Sequence, residues 1–251
     1  MRMINLLTPA AFALAAANLL AQSPQGHEQS SNRQQLAETT FQNSGDLQQP
    51  PSANRVLVLS PKASTRNAET HAAIALSNTV FSGDITFRGR VRTVKQLRTG
   101  SDPNPWESVW IVWNYNGGHF YYVALKTNGW EIGKHDRTIA NQQRFLKTGT
   151  SEFPVGTWHE FEIIQRQSEI QVHLDRAEVA TFEDSADPYT SGKVGFYTED
   201  AEIQIGDISA PFKDDFSDYP LRVFRGDGQI VKNWSMPFLG HGYAAIAMAK
   251  R

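Results

Sequence analysis

The chain has 251 residues, of which 40% are hydrophobic and 11% aromatic, so it has enough apolar side chains for a packed core. Its 24 lysines and arginines are balanced by 26 aspartates and glutamates, which argues against a general nucleic-acid binder. Cysteine is absent, which excludes disulfides and thiolate zinc sites. Only the N-terminus is continuously apolar, which excludes a polytopic membrane protein.

The first 52 residues divide by composition into two segments. Residues 1–21 place a positive charge before a run of leucines and alanines that ends in small residues, which is typical of a secretory signal peptide. Pro9 and Asn18 interrupt this run, which argues against the alternative of a membrane anchor. Residues 22–52 are rich in Gln, Ser, Asn and Pro and predict a flexible linker, with an extra packed strand as the alternative. We therefore expect a secreted or periplasmic protein.

Short stretches of apolar alternation recur from Arg55 onward, and turn residues separate them. Asn116-Gly117 and Asn128-Gly129 are hairpin signals, because tight hairpin turns need positive φ at their central residues. No window of helical period competes over this span. The predicted strands lie near residues 55–60, 71–77, 84–95, 108–115, 119–126, 129–135, 157–165, 169–175, 178–183, 192–198 and 202–209.

Many short strands with alternating faces predict an all-β fold, a two-sheet antiparallel jelly-roll sandwich over residues 53–210. In the strand 157–165, for example, Phe161 and Ile163 fall on one face and two glutamates on the other. Residues 211–251 are too few for a second domain and predict an appendage that packs on the sandwich or stays partly mobile. Within it, Tyr243–Met248 fits either a short strand or a short helix.

The second half of the sandwich resembles the concanavalin A-like and laminin G-like jelly rolls. The resemblance rests on two segments. The first, WHEFEIIQRQSEIQVHLDRAEVATFED, begins at Trp158, and the second, SGKVGFYTEDAEIQIGDI, ends at Ile208. These folds open a strand with Trp-His, continue with Val-x-Leu-Asp in a hairpin and close after Gly-x-Val-Gly-Phe-Tyr. The resemblance implies the fold but not one activity, because lectins, glycosidases and lyases all share it.

Aromatic residues between positions 106 and 130 suggest a carbohydrate site, since aromatic rings stack on the C–H faces of sugars. Four of the six tryptophans lie there. Alternation places Trp113 and Tyr121 in the core and leaves other residues of the two strands on the opposite face. The alternative is that the whole cluster is core. We expect the outward residues to line a ligand groove: Trp110, Asn114, Tyr122 and Lys126.

Three arginines, Arg88, Arg90 and Arg92, occupy successive same-face positions of one predicted strand. Adjacent guanidiniums repel one another unless anions or carboxylates lie across from them, and arginine binds carboxylates and sulfates in a bidentate manner. The row therefore predicts binding of anionic glycans. The alternative is a solvated strand face whose arginines pair with acids such as Glu131 or Glu202.

Catalytic motifs are incomplete. The Glu-x-Asp-x-Glu strand of related retaining glycosidases is missing, and Glu199-Asp200-Ala201-Glu202 places its acids at a predicted turn. Alginate-lyase jelly rolls combine an arginine strand, a histidine and a Tyr-x-Lys-x-Gly strand. The chain resembles them only in part, which makes Tyr122, His119 and Arg90 the catalytic residues of an alternative lyase interpretation.

Histidine spacing supports no transition-metal site, and no cofactor is required. Calcium is the one ion that the sequence suggests, because Asp84 and Asp207 would offer oxygen ligands between the first long strand and the last. Asn233 begins an N-glycosylation sequon that matters only in a eukaryotic source.

These observations predict an exported protein that binds a polysaccharide or glycan without cleaving it. They predict no nucleic-acid partner, no membrane span and no disulfide partner. A lyase of uronic acid polymers and a structural or adhesion module are the two alternatives.

Overall fold

A computed structural model describes residues 54–139 and 142–249 as a sandwich of two antiparallel sheets. The first, sheet A, contains nine strands. In spatial order they are β11 (Ala177–Glu183), β10 (Glu169–Leu174), β9 (His159–Arg166), β4 (Ile85–Gln96), β13 (Ala201–Ser209), β1 (Arg55–Ser60), β18 (Tyr243–Met248) and β15 (Arg222–Arg225), while β14 (Lys213–Asp214) pairs with β13.

The second, sheet B, also contains nine strands. In spatial order they are β16 (Gln229–Val231), β17 (Trp234–Phe238), β2 (Ala72–Ser77), β12 (Ser191–Glu199), β5 (Val109–Asn116), β6 (His119–Lys126), β7 (Gly129–His135) and β8 (Gln143–Gly149), while β3 (Phe81–Ser82) pairs with β12. Among residues 54–139 and 142–249 we find no helix with the length and apolar character of a membrane span. The predicted signal peptide, 1–21, and linker, 22–52, lie outside the described residues.

The core lies between the sheets and follows from strand alternation. Trp113 of β5 and Tyr121 of β6 face inward, as predicted, and their rings stack with centroids 5.3 Å apart. Trp110 and Tyr122 belong to a separate apolar cluster on the opposite side of the same strands. Because successive side chains of a strand point to opposite faces, this cluster lies on the outer face of sheet B.

Eleven strands were predicted, and each occurs within two residues of its expected limits. The hairpin β5–β6 turns at Gly117 and Gly118, whose φ values are 60° and 100°, one residue later than predicted. The strand β8 was missed, because its sequence QRFLKTG is largely polar and three of its side chains are charged or amide-bearing. An edge strand of this kind carries no clear apolar alternation.

The segment after residue 210 contributes strands to both sheets. Strands β15 and β18 extend sheet A beyond β1, and β16 and β17 extend sheet B beyond β2. Tyr243–Met248 is a strand, which settles the predicted choice between strand and helix. Trp234, Met236 and Ile246 are buried in the common core. This segment is therefore packed on the sandwich through β-pairing as well as through side chains.

Candidate functional site

The predicted arginine row and the predicted aromatic groove lie on opposite faces of the sandwich. Arg88 and Arg90 project from the outer face of sheet A, where they line a cavity of about 630 Å³. Trp110 and Tyr122 lie on the outer face of sheet B, with the hydrophobic core between them and the arginines. The arginine row and these aromatic rings therefore cannot contact one ligand together. The physical reason is that β4 and β5 are consecutive in the chain but belong to different sheets.

We call the cavity on sheet A the charged cavity. Its lining comes from the neighbouring strands β4, β9, β10 and β13 and from the turn after β10. The lining residues are Arg88, Gly89, Arg90, Glu160, Phe161, Glu162, His173, Arg176 and Asp207.

Cross-strand pairing places each arginine of β4 in the charged cavity opposite a glutamate of β9. Arg88 lies directly across from Glu162 in the register of β4 and β9, and Arg90 lies across from Glu160. Nε of Arg88 is 3.4 Å from a carboxylate oxygen of Glu162. Arg176 donates from Nε to Glu160 over 2.9 Å. From β9, therefore, Glu162 faces Arg88 and Glu160 faces Arg90.

Of the two acids named from the sequence as alternative partners, Glu202 acts on the arginine row, because its charge raises the pKa of Arg92 against the larger effect of burial. Glu131 is in sheet B, where it pairs with Lys126, and Glu202 pairs with Lys95 at 3.7 Å. Arg92 shares the outward face of β4 but is buried, and its Nη2 donates to Gln204 over 2.6 Å. Its guanidinium lies 5.0 Å from the ring centroid of Trp158, and burial lowers its pKa. Arg92 does not line the charged cavity.

Asp207 enters the charged cavity because of a β-bulge. The register between β13 and β4 shifts between Gly206 and Ser209, and Asp207 has φ 52°. This left-handed conformation is uncommon for a residue with a side chain. Bulges of this type redirect a side chain and recur beside functional sites. His173 of β10 lies across from Glu162 and completes the polar lining.

The two aspartates proposed as calcium ligands occupy different surroundings. Asp84 is 3.6 Å from Nε of Arg166 at the start of β4, whereas Asp207 lines the charged cavity. Within the described parts of the chain, no group of three or more histidines and acids is arranged to hold a metal ion. Calcium binding stays a prediction. A melting temperature that calcium raises in the wild type but not in Asp207→Asn would support it, and indifference to calcium would contradict it.

We call the outer side of sheet B around Trp110 the aromatic face. The Trp110 ring centroid is 4.7 Å from that of Tyr122 and 5.4 Å from that of Tyr197. Nε1 of Trp110 donates to the carbonyl of Trp106 over 2.9 Å. All three central rings are less than 9% exposed. The rings thus form a compact aromatic cluster outside the main core.

Polar side chains border the aromatic face on the side of β7. The hydroxyl of Tyr122 lies 2.9 Å from Oε1 of Glu131, and Lys126 donates to Oε2 of the same carboxylate over 3.1 Å. Burial, followed by the charge of Glu131, raises the pKa of Tyr122 well above its usual value. Trp110, Tyr122 and Lys126 therefore lie close together, with Glu131 as a further partner, but both rings are buried, and a ligand groove at this position stays a prediction.

A carboxylic acid borders the aromatic face on the side of β12. Tyr197 donates from its hydroxyl to Glu199 over 2.6 Å, and Glu199 is 3% exposed. Burial raises the pKa of Glu199 to about 7, well above the ordinary value of a glutamate. A carboxyl group of this kind can act as a general acid. The sequence offered one signal, the two-residue spacing that puts Tyr197 and Glu199 on the same side of a strand.

A buried arginine bridges the acids next to Glu199. Arg98 donates to Glu107 over 2.5 Å and to Asp200 over 2.9 Å, and all three side chains are buried. Burial raises the pKa of Glu107 and of Asp200. Asp200 also accepts a hydrogen bond from Ser64 over 2.5 Å. This network anchors the loops that flank the aromatic face.

The predicted outward orientation of Asn114 is wrong. The register of β5 is irregular after Trp113, and Asn114 has φ 51°. Its Nδ2 donates to Oε1 of Gln165 over 3.0 Å and to the carbonyl of Tyr189 over 2.6 Å. Gln165 belongs to sheet A, so Asn114 links the two sheets. The bulge reverses the face that strict alternation assigns to this position.

The three residues of the lyase interpretation do not converge. His119 lies at the start of β6, with Nδ1 3.4 Å from Asp136 and its ring against Tyr189. Tyr122 is on the aromatic face, and Arg90 is across the core in the charged cavity. One substrate cannot contact all three residues.

Residues 35–210 match the family model of the 3-keto-alpha-glucoside-1,2-lyase-like domain. A comparison with curated protein sequences gave no match. Among solved structures, carbohydrate binding module CBM66 from Bacillus subtilis is 13% identical and covers 56% of this chain and 81% of its own, with a TM-score of 0.46. Sheep galectin-11 is 13% identical over 54% of this chain and 95% of its own, with a TM-score of 0.41.

A SAP-like pentraxin from Limulus polyphemus is 10% identical and covers 63% of this chain and 76% of its own, with a TM-score of 0.39. These identities and TM-scores are too low to transfer a function. The family match is different, because it spans more than half of the chain. The chain therefore belongs to the family of 3-keto-alpha-glucoside-1,2-lyase-like domains, within the concanavalin A-like superfamily that its strand motifs predicted.

Proposed function

We propose that the protein binds carbohydrate in the charged cavity and does not cleave it. The observation that supports this proposal is an open cavity of about 630 Å³ whose lining offers hydrogen-bond donors and acceptors side by side. Ligand sites are concave and carry a few convergent polar groups. The family description names a glucoside, which supports a sugar as the ligand class.

The separation of groups supports binding without catalysis. Elimination from a sugar needs a base for a carbon-bound proton and an acid for the leaving oxygen. The carboxyl group with a pKa near 7, Glu199, and the tyrosines beside it lie on the aromatic face, buried and across the core from the charged cavity. A sugar in the cavity cannot reach them. The acid and base would have to come from the cavity itself, where Glu162 and Glu160 are engaged in ion pairs with Arg88 and Arg176.

The test is a glycan array followed by calorimetry on the wild type and on Arg88→Met and Arg176→Met. Each variant removes a guanidinium from the cavity, and we expect affinity to fall about tenfold or more, as for the loss of a charge-assisted hydrogen bond. Arg144→Met, an exposed arginine of β8 on the other sheet, is the matched control and should bind like the wild type. Equal affinity in all four proteins would contradict the proposal.

A 1,2-elimination activity is the second candidate, and one observation favours it besides the family. The aromatic face joins Glu199, whose pKa burial raises to about 7, with the Tyr122–Glu131 pair. The charges of both glutamates act on Tyr122, so the groups lie near one another. An assay with 3-keto-glucosides and with uronic acid polymers tests it. Product formation that Glu199→Gln and Tyr122→Phe abolish, while Arg88→Met leaves it intact, would replace the binding proposal with a lyase.

A further inference from the structure

We infer that the charged cavity selects uncharged saccharides over polyuronates, because the opposite charges of its lining are equal in number. The inference rests on the proposed carbohydrate binding and names its ligand class. It differs from the sequence prediction, which considered the arginine row without the strands beside it. The three guanidiniums belong to Arg88, Arg90 and Arg176, and the three carboxylates to Glu160, Glu162 and Asp207.

The charges alternate across the sheet instead of forming separate patches. Arg88 faces Glu162 and Arg90 faces Glu160 in the paired register of β4 and β9. The Arg88–Glu162 pair retains 58% and 33% side-chain exposure, and the Arg176–Glu160 pair retains 40% and 29%. Half-exposed pairs of this kind are weakly held, so a ligand can compete for their lone pairs and N–H groups.

An alternating lining favours hydroxyl groups over carboxylates. A sugar hydroxyl can donate to a glutamate and accept from the neighbouring arginine at the same time. A uronate carboxylate can only accept, and any position within reach of Arg88 also lies close to Glu162, which repels it. The attraction of one group is therefore offset by the repulsion of the next.

Asp207 is the residue that completes the balance. The bulge in β13 and the left-handed φ of 52° bring its carboxylate into the lining. Without that carboxylate the formal charge of the lining would be positive by one. We therefore assign Asp207 a specificity-determining role. Glu162 is the second residue whose carboxylate offsets the positive charge of the lining.

The experiment compares neutral glucose hexamers of α-1,4, β-1,4 and β-1,3 linkage with hexagalacturonate, by calorimetry at low and high sodium chloride. We expect the wild type to bind a neutral hexamer with an affinity that salt does not change, and to bind hexagalacturonate about tenfold more weakly. Asp207→Asn and Glu162→Gln each remove one negative charge and so raise the net charge of the lining by one. Each should strengthen hexagalacturonate binding about tenfold and make it sensitive to salt.

Glu183→Gln is the matched control, because it changes the net charge by the same amount on exposed β11, outside the cavity. It should leave both affinities unchanged. Glu162 is part of an exposed ion pair, so Glu162→Gln keeps the test valid if Asp207→Asn does not fold.

Two failures are distinguishable. Salt-dependent binding of hexagalacturonate by the wild type, at least as tight as any neutral hexamer and lost in Arg88→Met, would overturn the selectivity and leave the proposed function standing. Binding that Arg88→Met does not change, or no binding of any hexamer, would overturn the proposed function and the selectivity together.

Discussion

Tyr197 donates a hydrogen bond of 2.6 Å from its hydroxyl to the carboxyl group of Glu199, two residues further along β12. The two side chains lie on the same side of the strand, and both are buried on the outer side of sheet B. A buried carboxylate there has Asp200 and Glu107 as acidic neighbours and Arg98 as its cationic neighbour. Burial is the largest cause of its pKa of about 7.

The raised pKa of Glu199 makes the free energy of unfolding depend on pH. The folded state holds the proton up to about pH 7, whereas the unfolded chain releases it near the ordinary value of 4.5. Between these values the folded state binds more protons, so stability falls as pH rises, by about 3 kcal/mol in total. Glu199→Gln removes this titration, so its stability relative to the wild type should rise by that amount over the same window.

Urea denaturation of both proteins across this pH range measures the effect, and the difference between them cancels the other titrating groups. Glu183→Gln, on the exposed edge strand β11, is the control and should run parallel to the wild type. A constant difference between Glu199→Gln and the wild type at all pH values would show that Glu199 does not titrate in this window.

Arg98 and Arg88 should differ sharply in their contribution to stability. Arg98 bridges Glu107 and Asp200 with all three side chains at most 1% exposed, so Arg98→Met leaves two buried carboxylates without their cation. We expect a loss of about 3–5 kcal/mol. Arg88→Met breaks only a half-exposed pair and should cost about 1 kcal/mol or less. Urea denaturation at constant pH measures both, and equal losses would contradict the assigned roles.

Local alternation predicted the strands and the faces of most side chains, because it depends only on neighbouring residues. It placed Trp113 and Tyr121 in the core and Trp110 and Tyr122 outside it, as the structure has them. It did not reveal which sheet a strand joins, because pairing connects residues far apart in the chain. Glu162, for example, lies 74 positions after Arg88 and directly across from it.

Two bulges mark the other limit of the sequence analysis. Asn114 and Asp207 both have positive φ, and at both the side chain departs from the face that alternation assigns. Asn and Asp adopt positive φ more often than other residues with side chains, but both are also common in ordinary turns, so the residue type alone does not mark a bulge. The acids at positions 199–202 were predicted at a turn, and Glu199 is the last residue of β12, directly before the turn at Asp200.

Gly133 should be intolerant of any side chain because it faces Tyr122. A Cβ atom at this position would lie 2.5 Å from Cζ of Tyr122, whose ring is 1% exposed and packed against Trp110. Gly133→Ala should therefore destabilise the protein by about 1–3 kcal/mol through overpacking. The same variant should disturb the Tyr122–Glu131 hydrogen bond, which lies beside the clash.

A double-mutant cycle with Tyr122→Phe tests the cause. Removal of the hydroxyl relieves part of the overlap, so the two substitutions should cost less together than the sum of their separate effects. Thermal or urea denaturation of the wild type, the two single variants and the double variant gives the coupling free energy between the two positions. Strict additivity would mean that the alanine is accommodated without contact to Tyr122.

The C-terminal strands should depend on Asp214, the carboxylate that ties them to sheet A. Its Oδ2 accepts from Nε1 of Trp234 over 2.9 Å, from Asn233 over 3.1 Å and from the hydroxyl of Tyr219, and Oδ1 accepts from the backbone of Phe216. Trp234 is fully buried, so its indole N–H would have no partner after Asp214→Ala. Unsatisfied buried donors are costly, and we expect a loss of about 3 kcal/mol or more.

The neighbouring residue supplies the control for this last change. Asp215 accepts from the backbone and hydroxyl of exposed Ser217, so Asp215→Ala makes the same chemical change at the surface and should cost about 1 kcal/mol or less. Trp234 contacts Phe216 and Phe196 in the core, so its fluorescence should report the loss directly in Asp214→Ala. If Asp214→Ala and Asp215→Ala unfold at the same urea concentration, the C-terminal strands are held by β-pairing and core packing rather than by this carboxylate.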